Sequence, residues 1–119
     1  MRILVVDDSA VTRAMIADFL QMTGHEVVGE AENMAQALEA HAARKPELIT
    51  LDLSLGEENG FDVLLALRRA DKAVKVLIVS ANTQQEIYDE LLKEGANGIL
   101  TKPFSVAELA AAVEKTAAV

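Results

Sequence analysis

Short apolar runs, rich in β-branched residues, recur along this chain and alternate with segments of helical periodicity. The runs are Ile3-Leu4-Val5-Val6, Val27-Val28, Leu48-Ile49-Thr50-Leu51, Val76-Leu77-Ile78-Val79 and Ile99-Leu100-Thr101, and each has the composition of a strand. The first, third and fourth are continuous rather than alternating, which predicts strands covered on both faces in a parallel sheet. Between the runs, Met15, Ile16, Phe19 and Leu20 form one apolar face, Met34, Ala37, Leu38 and His41 a second, and Val106, Leu109, Ala110 and Val113 a third. That spacing is the mark of amphipathic helices. The segments from Phe61 to Arg69 and from Gln84 to Lys93 supply two more, while Gly24 and Pro46 stand where the first and second helices should stop. A βα unit repeated five times predicts an α/β fold, a single doubly wound (βα)5 sandwich over residues 1–119 with right-handed crossovers.

The 119 residues allow one core and are too few for two. Hydrophobic residues make up 51% and charged residues 25%, a balance that argues against disorder. A formal charge of -8 makes a nucleic-acid backbone or an anionic membrane an unfavourable partner, so neither direct nucleic-acid binding nor membrane binding is expected. The absence of Cys excludes a disulfide framework, thiol chemistry and a Cys-based zinc site. The apolar run Ile3 to Val6 stops at Asp7, far short of a signal-peptide core, and no later stretch would span a bilayer. The expected location is the cytoplasm.

In an open parallel sheet, chemistry gathers at the carboxyl ends of the strands. Here those ends are polar: Asp7-Asp8 after the first run, Asp52 after the third, Ser80 after the fourth and Thr101-Lys102-Pro103 at the fifth. Each has an ordinary structural explanation. Asp8 with Ser9 suits a helix cap, Asp52 a polar loop, Ser80 a turn and Lys102 a solvated surface. Together they suit a different one. Carboxylates converging on one edge repel and call for a cation. Mg2+ fits, because it prefers oxygen ligands and binds through one or two carboxylates plus a phosphate oxygen. Three carboxylates, Mg2+ and Lys102 balance to zero formal charge, so a phosphoryl anion would meet no net repulsion.

The Asp7-Asp8 pair, Asp52, Ser80-Ala81 and Lys102-Pro103-Phe104, in that order at successive strand ends, closely resemble the receiver domains of two-component response regulators, and the likeness covers the whole chain. Val6-Asp7-Asp8-Ser9-Ala10 with Arg13, and the run from Pro46 to Asp52, look most like chemotaxis receivers. The resemblance implies a flavodoxin-like, CheY-like fold with strand order 2-1-3-4-5 and a cis peptide between Lys102 and Pro103. It implies that Asp52 takes a phosphoryl group from a phosphohistidine on a histidine kinase or histidine phosphotransfer protein. Asp7, Asp8, Asp52 and the carbonyl of Ser54 would hold Mg2+. Lys102, Ser80 and the backbone amides of Leu53 and Ala81 would bind the phosphoryl group. The chain would then be a phospho-acceptor rather than an enzyme, assisting its own phosphorylation and dephosphorylation, a monomer or a weak phosphorylation-dependent dimer. It would signal to a protein target through the fourth helix, fifth strand and fifth helix, with Ser80 and the residue at 99 as switch positions.

Three departures stand out. Receivers usually carry an aromatic residue three positions before the lysine, where this chain has Ile99. They commonly have proline at the fourth position after the acceptor, where this chain has Gly56. Ser54 and Asn82 occupy the variable positions that flank the phosphoryl group, and neither is charged. Tyr88, the only tyrosine, falls on the fourth predicted helix, where packing is the ordinary role and signalling the alternative. His25 and His41 have no ligand partner at metal spacing and read as structural. A nucleotide or flavin binder would need a glycine-rich turn after the first strand, where Asp-Asp-Ser-Ala stands instead. A degenerate receiver would have lost an acidic, hydroxyl or lysine position, and a metal-dependent phosphatase would need a separate general acid. A receiver excised from a longer regulator remains compatible with the same residues.

Overall fold

The computed structural model describes residues 1–81 and 84–119. In chain order the elements are β1 (Arg2–Val6), α1 (Ala10–Met22), β2 (Glu26–Ala31), α2 (Met34–Arg44), β3 (Leu48–Asp52), β4 (Ser54–Leu55), β5 (Glu58–Asn59), α3 (Gly60–Ala70), β6 (Lys75–Ser80), α4 (Gln85–Lys93), β7 (Gly98–Thr101) and α5 (Val106–Ala117). Five strands form one sheet in the order β2-β1-β3-β6-β7, and every neighbouring pair is parallel. This is the expected 2-1-3-4-5 arrangement. The antiparallel β4–β5 hairpin stands apart from the sheet.

Alternation along the buried strands divides the core in two. Leu4, Val6, Ile49, Leu51, Val76 and Ile78 face a cluster completed by Ala37 of α2, Val63, Leu64 and Leu67 of α3, and Leu91 of α4. Ile3, Val5, Leu48, Leu77 and Val79 face the opposite cluster, with Ile16 and Leu20 of α1 and Leu109 and Val113 of α5. The strands are therefore apolar on both sides, which is why their runs are continuous in sequence. Met15 departs from the expected face of α1. It is 36% exposed, and Ile16, Ala17 and Leu20 make the buried contact instead. Leu91 is the one buried residue of α4, whereas α3 buries four. At about 1.5–3 kcal/mol per buried aliphatic side chain, α4 is the more lightly anchored of the two.

Helix starts follow local chemistry. Ser9, Asn33, Asn59 and Ser105 each accept a backbone N–H into the first turn, and Ser105 with Glu108 completes a reciprocal capping box. Ser9, not Asp8, caps α1. That assignment leaves the Asp8 carboxylate available for other work. At the other end, α2 closes on Lys45 in the left-handed region before Pro46. Because β1, β3, β6 and β7 run parallel, Asp7, Asp52, Ser80 and Lys102 all emerge at the same edge.

Candidate functional site

Two acidic side chains at this edge are buried: Asp7 is 1% exposed and Asp52 6%. Burial of unpaired carboxylates is costly, and the way each oxygen is satisfied explains how the chain tolerates it. Asp7 Oδ1 accepts the Ser9 N–H at 2.9 Å, and Asp52 Oδ1 accepts the Ser54 N–H at 3.1 Å. The second oxygen of each accepts from the Lys102 ammonium, at 3.2 Å in both cases. One lysine thus bridges two buried carboxylates. It leaves the end of β7 through a cis Lys102–Pro103 peptide, as the resemblance implies.

Burial pushes the Asp52 carboxyl above its ordinary value. The Ser54 N–H opposes that shift, the Asp7 charge reinforces it, and Lys102 opposes it. Burial would lower the Lys102 ammonium, but the neighbouring Asp52 and Asp7 charges and hydrogen bonds more than offset it, leaving it raised. The site therefore holds Lys102 in its charged form and leaves Asp52 with an unrelieved cost of ionisation.

Asp8 is exposed and completes an acidic triplet. Asp7, Asp8 and Asp52 each offer a carboxylate oxygen, and the chosen oxygens lie within 4.8 Å of one another. An all-oxygen donor set of this charge is the kind that a hard divalent cation occupies, so these residues fit Mg2+. Beside them opens a cavity of about 930 Å3, whose lining includes Asp52, Leu53, Ser54, Ser80, Ala81 and Lys102 together with Gly56, Glu58, Glu86 and Ile87. Every residue expected to bind the phosphoryl group thus borders one space. Ile99 does not. It lines a separate groove between α4, β7 and α5. Asn82 lies outside the described residues.

Several residues shape this site in ways the sequence did not disclose, including Arg13 and Gly56, which it marks only by likeness to or departure from receivers. Arg13 donates to the Asp7 carbonyl at 2.7 Å and pairs with Glu30 at 3.2 Å, fixing the backbone behind the acidic pair. Gly60, the first residue of α3, lies directly over the Asp52–Leu53 backbone, where any side chain would strike the Asp52 carbonyl and approach Leu53 Cα to 2.6 Å. The only signal for it was an Asn-Gly pair just before a helix. Gly56 adopts φ +64°, and a side chain there would sit 3.8 Å from the Asp8 carboxylate. The turn of the β4–β5 hairpin therefore borders the acidic cluster. Glu58 ties the hairpin to α2 by accepting the Met34 N–H at 2.9 Å. The histidines behave as expected. His25 lies 3.1 Å from the N-terminal amine. His41 pairs with Asp71 at 3.0 Å, and its hydrogen bond holds the Asp71 carboxyl below its ordinary value.

A sequence model of the response regulator receiver domain matches residues 3–114. The chemotaxis protein CheY of Thermotoga maritima is 36% identical, over 96% of this chain and 95% of its own length. The chemotaxis protein CheY of Bacillus subtilis is 38% identical, over 97% and 96%. Among solved structures, the signal receiver domain of the response regulator NarL from Mycobacterium tuberculosis superposes with a TM-score of 0.90 at 33% identity. That likeness covers 98% of this chain and 95% of the other.

Proposed function

Because this chain belongs to the response regulator receiver family, we propose that it is the phospho-acceptor of a two-component phosphorelay, with Asp52 as the acceptor residue. The observation that carries this reading is the pairing of a buried Asp52 with Lys102, both of which line one cavity, where Asp52 is also a member of an acidic triplet with Asp7 and Asp8.

Asp52 Oδ2 is the nucleophilic atom. Its lone pair forms the O–P bond as the P–N bond of a phosphohistidine breaks, and the electron pair of that bond leaves with the imidazole of the donor protein. Lys102, already within 3.2 Å of both Asp7 and Asp52, turns toward the transferred oxygens and balances their charge. Ser80 donates its hydroxyl to another oxygen, and the amides of Leu53 and Ala81 complete the cradle. Asp7, Asp8, Asp52 and the Ser54 carbonyl would hold Mg2+, which would supply positive charge to offset the carboxylates and the incoming phosphoryl group. The protein's own part is positioning and charge balance, as is general for phosphoryl transfer. Water later cleaves the acyl phosphate and resets the switch, so the chain turns over no separate substrate and is a switch rather than an enzyme.

The phosphorylated form shifts a conformational equilibrium and engages a protein target through α4, β7 and α5. The Thermotoga and Bacillus relatives bear the name chemotaxis protein, which supports a chemotaxis or motility pathway; the cytoplasm is the location proposed with it. Among the described residues, no helix is long and apolar enough to cross a membrane.

The test is direct. Incubation with acetyl phosphate and Mg2+ should add one phosphoryl group per chain, read by intact-protein mass spectrometry. Asp52→Asn should abolish the addition and chelation of Mg2+ should suppress it. Undiminished modification of Asp52→Asn would refute the assignment.

A further inference from the structure

Adjacent residues of α4 look into different spaces. Ile87 lines the site cavity together with Asp52, Ser80 and Lys102. Tyr88 lines the outer groove, of about 470 Å3, together with Leu92, Ile99, Thr101 and Lys115. The Tyr88 hydroxyl lies 3.0 Å from Thr101 Oγ1, so a hydrogen bond joins α4 to the last residue of β7.

Thr101 occupies a particular rung of the sheet. It is the cross-strand partner of Ser80. The next residue, Lys102, donates its backbone N–H to the Ser80 carbonyl at 2.8 Å and sends its ammonium to Asp7 and Asp52. Both side chains expected to grip a phosphoryl group are therefore a single step from Thr101, one across the sheet and one along the chain.

Resting on the phospho-acceptor reading above, we propose that the Tyr88–Thr101 hydrogen bond carries the state of Asp52 to the outer face of α4, β7 and α5, with Tyr88 acting as a positioning residue. A phosphoryl group on Asp52 faces Ser80 and Lys102 with new bulk and charge, and displacement of either one moves the rung that Thr101 shares. Tyr88 feels that movement through one bond. The helix that bears it is lightly anchored, because Leu91 is its only fully buried residue while Ile87 and Tyr88 are partly buried. Thr101 is exposed, so water competes for its hydroxyl and the contact is poised rather than locked. Ile99 cannot make such a hydrogen bond: its side chain has no polar atom and packs, like Ile87 and Tyr88, against a core cluster that includes Leu91.

The chain contains one Tyr and no Trp, so its intrinsic fluorescence reports Tyr88 alone. With acetyl phosphate and Mg2+, tyrosine emission of the parent protein should change in proportion to phosphoryl uptake, the latter followed independently by mass. Thr101→Val keeps the fluorophore and the strand shape; it should take up phosphoryl equally but lose the emission change. In Tyr88→Phe, phosphorylation should no longer alter amide hydrogen exchange in α4 and β7, although uptake continues. Unchanged emission in the phosphorylated parent, or an equal change in Thr101→Val, overturns the proposal and leaves the phospho-acceptor reading intact. No phosphoryl uptake by the parent overturns both.

Discussion

Asp52 is a carboxylate that the fold holds almost out of solvent. Its carboxyl is raised by burial, and Lys102 relieves only part of that burden. The consequence for stability has a definite sign. At low pH both folded and unfolded chains hold the proton. As pH rises from the ordinary value of 3.8, the unfolded chain releases it first, so the folded state binds more protons and stability falls until the raised folded value is passed. Asp52→Asn lacks this dependence. In chelator, its melting temperature should exceed that of the parent by an amount that opens across this pH window and stays constant above it. Each kcal/mol relieved corresponds to about 4 °C in a domain of roughly this size. A difference independent of pH, or of opposite sign, would contradict the cause assigned to the shift. At this scale the sequence displayed the chemical groups clearly, because Asp, Ser and Lys at strand ends stand out against apolar runs. What it concealed were residues whose role is to be absent or to hold backbone. Gly60 matters because nothing may project over the Asp52 carbonyl, and Arg13 matters through a main-chain oxygen of Asp7. Neither requirement leaves a mark in composition or periodicity.

The β4–β5 hairpin holds one of the departures from the receiver pattern, with Gly56 where the resemblance leads one to expect proline. Gly56 at φ +64° makes its turn, and the Glu58 carboxylate fastens it to the N-terminus of α2. Proline is confined to φ near about −65°, so the residue common in the family is forbidden here. Gly56→Pro should lower stability by more than about 1 kcal/mol in urea unfolding. It should also weaken Mg2+ binding, because the turn borders Asp8. Unchanged stability would mean that the turn can adopt another shape. Two-residue strands are too short to create a period, which is why the hairpin could not be anticipated, whereas the five longer strands announced themselves through apolar runs. Alternation also left α1 ambiguous. Met15 and Ile16 are adjacent and both apolar, and only packing against α5 and the sheet decides that Ile16 turns inward.

For the whole molecule, the strands' existence followed from sequence pattern, but their order did not, because periodicity carries no record of which strand lies beside which. The resemblance to receivers supplied the order, and the observed β2-β1-β3-β6-β7 sheet agrees with it. Global stability should answer to the acidic cluster. A ligand that binds only the folded state at 100 times its Kd stabilises by about 2.7 kcal/mol, so Mg2+ should raise the melting temperature saturably and chelator should reverse the gain. Asp8→Asn alters an exposed residue and should fold normally, yet gain much less from Mg2+. An equal gain in that variant would remove Asp8 from the metal site. The Lys102 clasp joins residues separated by 95 and 50 positions, and this has a temporal meaning. On the phospho-acceptor reading, a chain still emerging from the ribosome already contains Asp52 but not Lys102, so competence would arrive only after β7 has been synthesised and docked.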